Sequence, residues 1–207
     1  MSGYAAGYYK RYKNFNYARL SDFIIEDLKL FFKSRPKQKA RLIVDIGCGI
    51  GRIADIFQHY SEMSVGLDIS SDAIKMANRG AKSFFIAGNA LSMPIKDKVC
   101  DICSCIHVIE HVKEFDLLLK EMYRITANGG KVIFITPNRK YTRFSLPFLK
   151  DKTHIREFAI DELKKALSDY FYVEKIKPVS MFTSFGILNP LLNVLLKPDI
   201  YISAIKI

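Results

Sequence analysis

The chain has 207 residues, which suits one domain with a sizeable core, and its hydrophobic share of 49% and charged share of 26% are those of a soluble globular protein. No run reaches the roughly 18 apolar residues of a membrane-spanning helix, and the four cysteines are a poor match to the paired C-x-x-C units of zinc sites. The net charge of +11 suits an anionic partner such as RNA, an acidic membrane surface or a phosphorylated substrate, and equally a Lys-rich solvated surface.

In chain order, residues 1–19 carry Tyr4, Tyr8, Tyr9, Tyr12, Phe15 and Tyr17, with Lys10, Arg11 and Lys13 between them. Such a segment can stack on bases, lie over a site as a lid, or pack its aromatic side on the core. This polar and aromatic start lacks the charged region and apolar core of a signal peptide. Residues 20–33 read as an amphipathic helix with Leu20, Phe23, Ile24, Leu28 and Phe31 on one face and Ser21 or Asp22 as cap. A basic loop with Pro36 follows.

Residues 41–52, RLIVDIGCGIGR, organise the rest. An apolar run, Leu42 to Val44, predicts a buried strand. Asp45, Gly47, Gly49 and Gly51 then stand at every second position, and IADIF has the spacing of a helix face. Strand, glycine-rich turn and helix bind an adenine-containing cofactor at the carboxyl end of a parallel sheet. The position that would complete G-x-G-x-x-G is Arg52, and Asp45 would repel a pyrophosphate but suits a cationic amino-acid ligand. The combination favours S-adenosylmethionine (SAM) over NAD.

Residues 64–69 are a second predicted strand, ending in Asp68, an acid placed to accept hydrogen bonds from ribose hydroxyls. A helix follows, with Ser70 or Ser71 as cap and Gly80 as stop. Residues 82–88 and 99–106 are the third and fourth strands, separated by a loop containing Asn89, Ala90 and Pro94. A helix over about 112–125 is stopped at Asn128-Gly129-Gly130, and residues 131–138 are a fifth strand. Cys100, Cys103 and Cys105 fall in the fourth strand and Cys48 in the glycine turn, as reduced, buried thiols of a cytoplasmic protein. The alternation predicts a doubly wound α/β fold with a parallel sheet. Residues 139–158 form a basic, aromatic loop, 160–170 a helix capped by Asp161 or nearby, and 171–178 and 199–207 two strands. Joined without a long helix, those strands suggest an antiparallel hairpin at the sheet edge.

The order VDIGCGIGR, GLDIS, GNALSMPIKDKVCDI, HVIEHV and EMYRITANGGKVIFITPN resembles class I SAM-dependent methyltransferases, nearest to the ubiquinone-biosynthesis O-methyltransferases. The likeness is strong over residues 40–138. It implies a Rossmann-like, seven-stranded sheet, mostly parallel with an antiparallel last strand and helices on both faces. It also implies one domain, 1–207, with a helical lid over 1–35, a SAM-binding core over 40–138 and substrate-side loops and terminal strands over 139–207. Carried over by residue, Asp45 faces the SAM ammonium, and Gly47, Gly49 and Gly51 let the backbone pass under the methionine. Asp68 takes the ribose hydroxyls and Ile69 flanks the adenine. Asn89 stands where the family usually has Asp for the adenine amino group, Ala90 and Leu91 line the adenine pocket, and Ile106 and His107 lie beside the sulfonium.

Two constellations bear on the chemistry. His107, Glu110 and His111 form H-x-x-E-H; in some relatives a similar E-x-x-E-H binds a divalent metal, which would orient a substrate hydroxyl and lower its pKa. Alternatively, His111 simply caps or packs. In THIREF, His154 is a further ligand or, with His107, a candidate general base, and Arg139, Arg143 and Arg156 are candidate contacts for an anionic group. As a plain surface feature, Arg156 would pair with Glu157. The apolar residues 179–196 suit a substrate cover, a membrane contact or a dimer surface.

The expected activity is therefore methyl transfer from SAM to a small, lipidic or glycan-like acceptor, at oxygen. The expected protein is cytoplasmic or membrane-associated, a monomer or homodimer, with histidines His107, His111 and His154 in the chemistry. The alternatives are an RNA or protein methyltransferase, or a non-catalytic SAM-binding partner subunit. Against nucleic acid, the chain carries no appended RNA-binding domain and no Asn/Asp-Pro-Pro-aromatic motif after the fourth strand.

Overall fold

The computed structural model describes residues 17–35, 39–77, 83–142, 153–179 and 199–207. The aromatic start of the chain, Arg143 and nearly all of the apolar 179–196 segment lie outside these residues.

The elements are α1 (Tyr17–Lys33), β1 (Ala40–Ile46), α2 (Arg52–Phe57), β2 (Ser61–Asp68), α3 (Ser71–Met76), β3 (Ser83–Ala87), β4 (Cys100–Ile106), α4 (Phe115–Ile125), β5 (Thr126–Pro137), α5 (Arg139–Thr142), α6 (Ile160–Ser168), β6 (Tyr172–Val179) and β7 (Asp199–Ile205). The seven strands make one sheet in the order β3-β2-β1-β4-β5-β7-β6. The first five strands run parallel; β7 is antiparallel to β5 and to β6. The terminal strands do pair antiparallel, but β7 inserts between β5 and β6, so only β6 reaches the sheet edge.

Alternation along the strands builds two cores, one on each face. Val44, Ile46, Cys103, Cys105, Val132 and Phe134 point one way and meet Leu118, Leu119, Met122 and Ile125 of α4 and Leu163 and Leu167 of α6. Ile43, Ile102, Ile133 and Ile135 point the other way and meet Ile24, Leu28 and Phe31 of α1 and Ile53 and Phe57 of α2. All four cysteines are buried free thiols. Among the described residues, no helix is long and apolar enough to cross a membrane.

Several local expectations change. α1 begins at Tyr17, which places Ser21 and Asp22 inside the helix rather than at its cap. Ser70 caps α3, its hydroxyl accepting from the Ala73 N–H at 3.2 Å. Asn128-Gly129-Gly130 does not stop a helix: β5 starts directly at Thr126, and these residues form a register shift against β4 before regular pairing resumes at Lys131. The N-cap of α6 is Ala159, whose N–H is met by the Glu162 carboxylate, so Asp161 lies in the first turn. Residues 88–99 join β3 to β4 without a helix, interrupting strict strand–helix alternation.

Candidate active site

Strand order reverses between β1 and β4, and the expected cofactor residues gather at the carboxyl ends of β1, β2, β3 and β4. The glycine turn after β1 is tied to β2 by the Gly47 and Cys48 N–H groups, both donating to the Leu67 carbonyl at 2.7 and 3.0 Å. Gly47 has φ +68°, and a Cβ there would lie 2.1 Å from a Val108 methyl. Glycine is therefore required twice over at position 47, by conformation and by the loop after β4 pressing on it. Gly51 has φ +83°, and Phe85 occupies the space its Cβ would need.

Asp68 ends β2 and is 6% exposed. One of its oxygens accepts from the Gly49 N–H at 2.8 Å and the other from the Ser70 N–H at 2.8 Å. Asp68 thus fixes the glycine turn itself. Ile69 beside it is 79% exposed, a large apolar side chain facing out where an adenine face is expected. Asn89 is exposed and folds its carbonyl onto the Leu91 N–H at 2.9 Å, an Asx turn that shapes the 89–91 wall. Ala90 and Leu91 pack partly against the core, and Ile106 is half-buried at the end of β4.

Asp45 stands directly opposite Ser104 in the β1–β4 register and is 2% exposed. Burial pushes its carboxyl up to about 7; the Ser104 hydrogen bond works against this and the Asp68 charge adds to it.

The loop after β4 carries the second cluster. His107 has φ +53°, a left-handed conformation unusual for a residue with a Cβ, and its N–H donates to the Ile135 carbonyl at 2.8 Å. Its Nδ1 lies 3.2 Å from Glu110 Oε1 and its Nε2 4.0 Å from Asp199 Oδ1. Burial disfavours the imidazolium, but the Glu110 hydrogen bond and the Asp199 and Glu110 charges outweigh it, raising the His107 pKa to about 9. Glu110 is wholly buried and accepts from Thr136 Oγ1 at 2.9 Å. Burial pushes its carboxyl up, yet His107 and His111 hold it below the usual range. The Glu110 carbonyl accepts the Ile155 and Arg156 N–H groups at 2.9 and 3.1 Å, which docks THIREF onto this loop. There His154 meets His111 edge to face, ring centroids 4.9 Å apart, while His111 Nδ1 lies 3.1 Å from the Thr153 carbonyl.

Donor atoms of Glu110, His111 and His154 lie within 4.8 Å of one another. His107 stands outside this set, turned to Glu110 and Asp199. Of the expected metal set of His107, Glu110 and His111, the last two lie in this cluster with His154, while His107 Nδ1 lies 3.2 Å from Glu110 Oε1 outside it. Arg139 and Arg156 both pair with Glu162, at 2.9 and 3.1 Å, and Arg156 also lies over the Phe115 ring. These contacts replace the expected Arg156–Glu157 pair and commit both guanidiniums to the THIREF–α6 junction. Sequence reasoning missed Ser104, Thr136 and Asp199, which reach the site only through strand pairing.

A methyltransferase domain model matches residues 44–134. An uncharacterized protein of Methanocaldococcus jannaschii is 31% identical over 177 residues, 79% of this chain and 76% of that one. The chain belongs to the class I SAM-dependent methyltransferases. The ajmaline N-methyltransferase of Rauvolfia serpentina is 33% identical over 113 residues, 51% of this methyltransferase, and the match spans only 39% of the plant enzyme. Among solved structures, a Pyrococcus horikoshii protein superposes with a TM-score of 0.72 at 20% identity, over 97% of this chain and 99% of that one. The methyltransferase uses SAM, and the glycine turn, Asp45 and Asp68 are the parts of this chain suited to hold it.

Proposed function

We propose that this methyltransferase moves the SAM methyl group to an oxygen of a small, lipidic or glycan-like acceptor. Residues 40–138 are read as the SAM side and residues 139–207 as the acceptor side of one domain. The observation that carries the reading is the convergence of His111 and His154 on Glu110 beyond the ends of β4 and β5. An alcohol is a weak nucleophile until its proton leaves, whereas a neutral amine attacks as it is; a histidine cluster able to take a proton supports oxygen.

His154 is the residue best suited to take that proton. The Glu110 and Asp199 carboxylates favour the protonated form of His107, and His111 Nδ1 faces the Thr153 carbonyl where His154 Nδ1 faces a carboxylate. Glu157 Oε1, 3.5 Å from His154 Nδ1, would stabilise the imidazolium that forms. The acceptor oxygen attacks the methyl carbon in line with the carbon–sulfur bond. The bonding pair returns to sulfur, which becomes a neutral thioether, and the hydroxyl proton passes to His154. SAM supplies the leaving group, so positioning plus a modest base is sufficient.

An amine acceptor is the second reading, favoured by the N-methyltransferase among the relatives. His154→Ala separates the two. For oxygen, kcat should fall about 100-fold while SAM affinity changes less than about twofold. For an amine, kcat should barely move, and mass spectrometry of the product should place the methyl on nitrogen.

A further inference from the structure

We propose that Glu121 and Arg124 of α4 are positioning residues for SAM: together they clamp the loop between β3 and β4, and so hold the adenine wall at Ala90 and Leu91 in place without touching the cofactor.

Residues 88–99 cross from β3 to β4 with no helix or strand of their own. Such a segment leaves its backbone N–H and C=O groups to be met from elsewhere, and α4 meets several of them. The Glu121 carboxylate accepts the Met93 N–H at 2.7 Å. The Arg124 guanidinium donates to the Met93 carbonyl at 3.0 Å, the Ile95 carbonyl at 2.7 Å and Asp97 Oδ1 at 2.6 Å. Its other two N–H groups go to Glu121, at 2.7 and 2.8 Å. The five donors of the fork are thus matched by five acceptors. The Arg124 carbonyl in turn accepts the Lys98 N–H at 2.9 Å.

The near end of the loop is shaped by its own turns. The Asn89 side chain accepts the Leu91 N–H at 2.9 Å, and the Asn89 backbone carbonyl accepts the Ser92 N–H at 3.1 Å. Gly88 N–H donates to the Asp68 carbonyl at 2.9 Å. These bonds set the form of the 89–92 turn; the clamp at Met93 sets where it stands. The Met93 side chain is 5% exposed and joins the core that α4 also fills. Ser92 alone separates Met93 from Leu91, so a shift at the clamp is passed directly to the wall. A lysine at position 124 would bring one compact charge in place of a planar fork and could not hold the same set of acceptors.

This role rests on the reading of residues 40–138 as the SAM side, with Ala90 and Leu91 along the adenine, and the test separates the two. S-adenosylhomocysteine, and S-ribosylhomocysteine, which lacks the base, are each titrated into the full-length 15N-labelled protein by NMR, with the Gly49 amide as reporter. Arg124→Lys should weaken S-adenosylhomocysteine about tenfold and leave the base-free ligand within about twofold. Leu91→Ala should show the same selectivity. If Leu91→Ala is selective while Arg124→Lys weakens both ligands alike, or neither, the clamp only stabilises the fold and the proposal is overturned with the adenine reading intact. If neither variant is selective, the adenine reading fails and the proposal with it. Should Arg124→Lys fail to fold, Glu121→Gln carries the same comparison, since it keeps an acceptor for the Met93 N–H and loses the ion pair.

Discussion

Ser104 Oγ donates a 2.7 Å hydrogen bond to Asp45 Oδ1 between directly paired residues of β1 and β4. That bond is too little to offset burial, so the carboxyl titrates at about 7 instead of the ordinary 3.8. The acid expected to meet the cofactor's ammonium is therefore poised between its two states near neutrality.

Only the carboxylate form can pair with an ammonium. SAM affinity should accordingly rise as pH increases from about 6 to about 8 and then level off, with proton release on binding. The unliganded protein should show the opposite slope. A folded pKa above the unfolded value means stability from this group is present below about pH 4 and is lost as pH rises toward 7. Asp45→Asn should flatten both profiles and weaken SAM binding. Calorimetry in two buffers of different ionisation enthalpy, with urea melts across the range, measures both.

Gly47→Ala should be among the most damaging small changes in the chain. The new methyl meets Val108 at 2.1 Å and the residue must hold φ +68°. Overpacking and conformational cost together predict a loss of about 2–4 kcal/mol in stability. Val108→Ala in the same chain should recover the steric part only, which denaturant melts of the single and double variants would reveal.

Asp68→Ala removes the acceptor for two backbone N–H groups, at Gly49 and Ser70. SAM affinity should fall about 10- to 100-fold, the equivalent of one or two charge-assisted hydrogen bonds. Asp68→Asn, which keeps carbonyl acceptance, should lose less. Calorimetry with SAM and with its demethylated product reads the difference.

The parts of this molecule that local sequence specifies were legible before the structure. A turn that must pass through positive φ writes its glycines at 47, 49 and 51, and an acid ending a short apolar strand marks Asp68. Paired strands carry no such local mark. Asp199 matters because β7 enters the sheet antiparallel beside β5, and Thr136 because Glu110 turns back onto that strand. His107 read as a ligand or a base because its neighbours were invisible; two carboxylates from distant elements give it a different charge. The first helix starts before Ser21 and Asp22, while the helix expected from residue 160 starts there; its cap differs because Ala159 holds the N-cap position and Glu162 reaches back to its N–H.

Midway along β5, Lys131 is buried between Asp27 of α1, at 3.1 Å, and Glu174 of β6, at 2.7 Å. Lys131→Met leaves Asp27 buried without this cation and should cost about 3–5 kcal/mol. It should leave the SAM affinity of the folded protein unchanged, since Lys131 lies six residues before the site end of β5. Thermal melts with and without SAM separate the two effects.

The most direct test of the account follows labelled methyl from SAM into fractionated extract of the source organism, with and without a chelator. Label should appear in the small-molecule or lipid fraction, on oxygen, at an unchanged rate when divalent metals are removed. Label confined to RNA or protein would contradict it, as would no transfer from a protein shown to bind SAM.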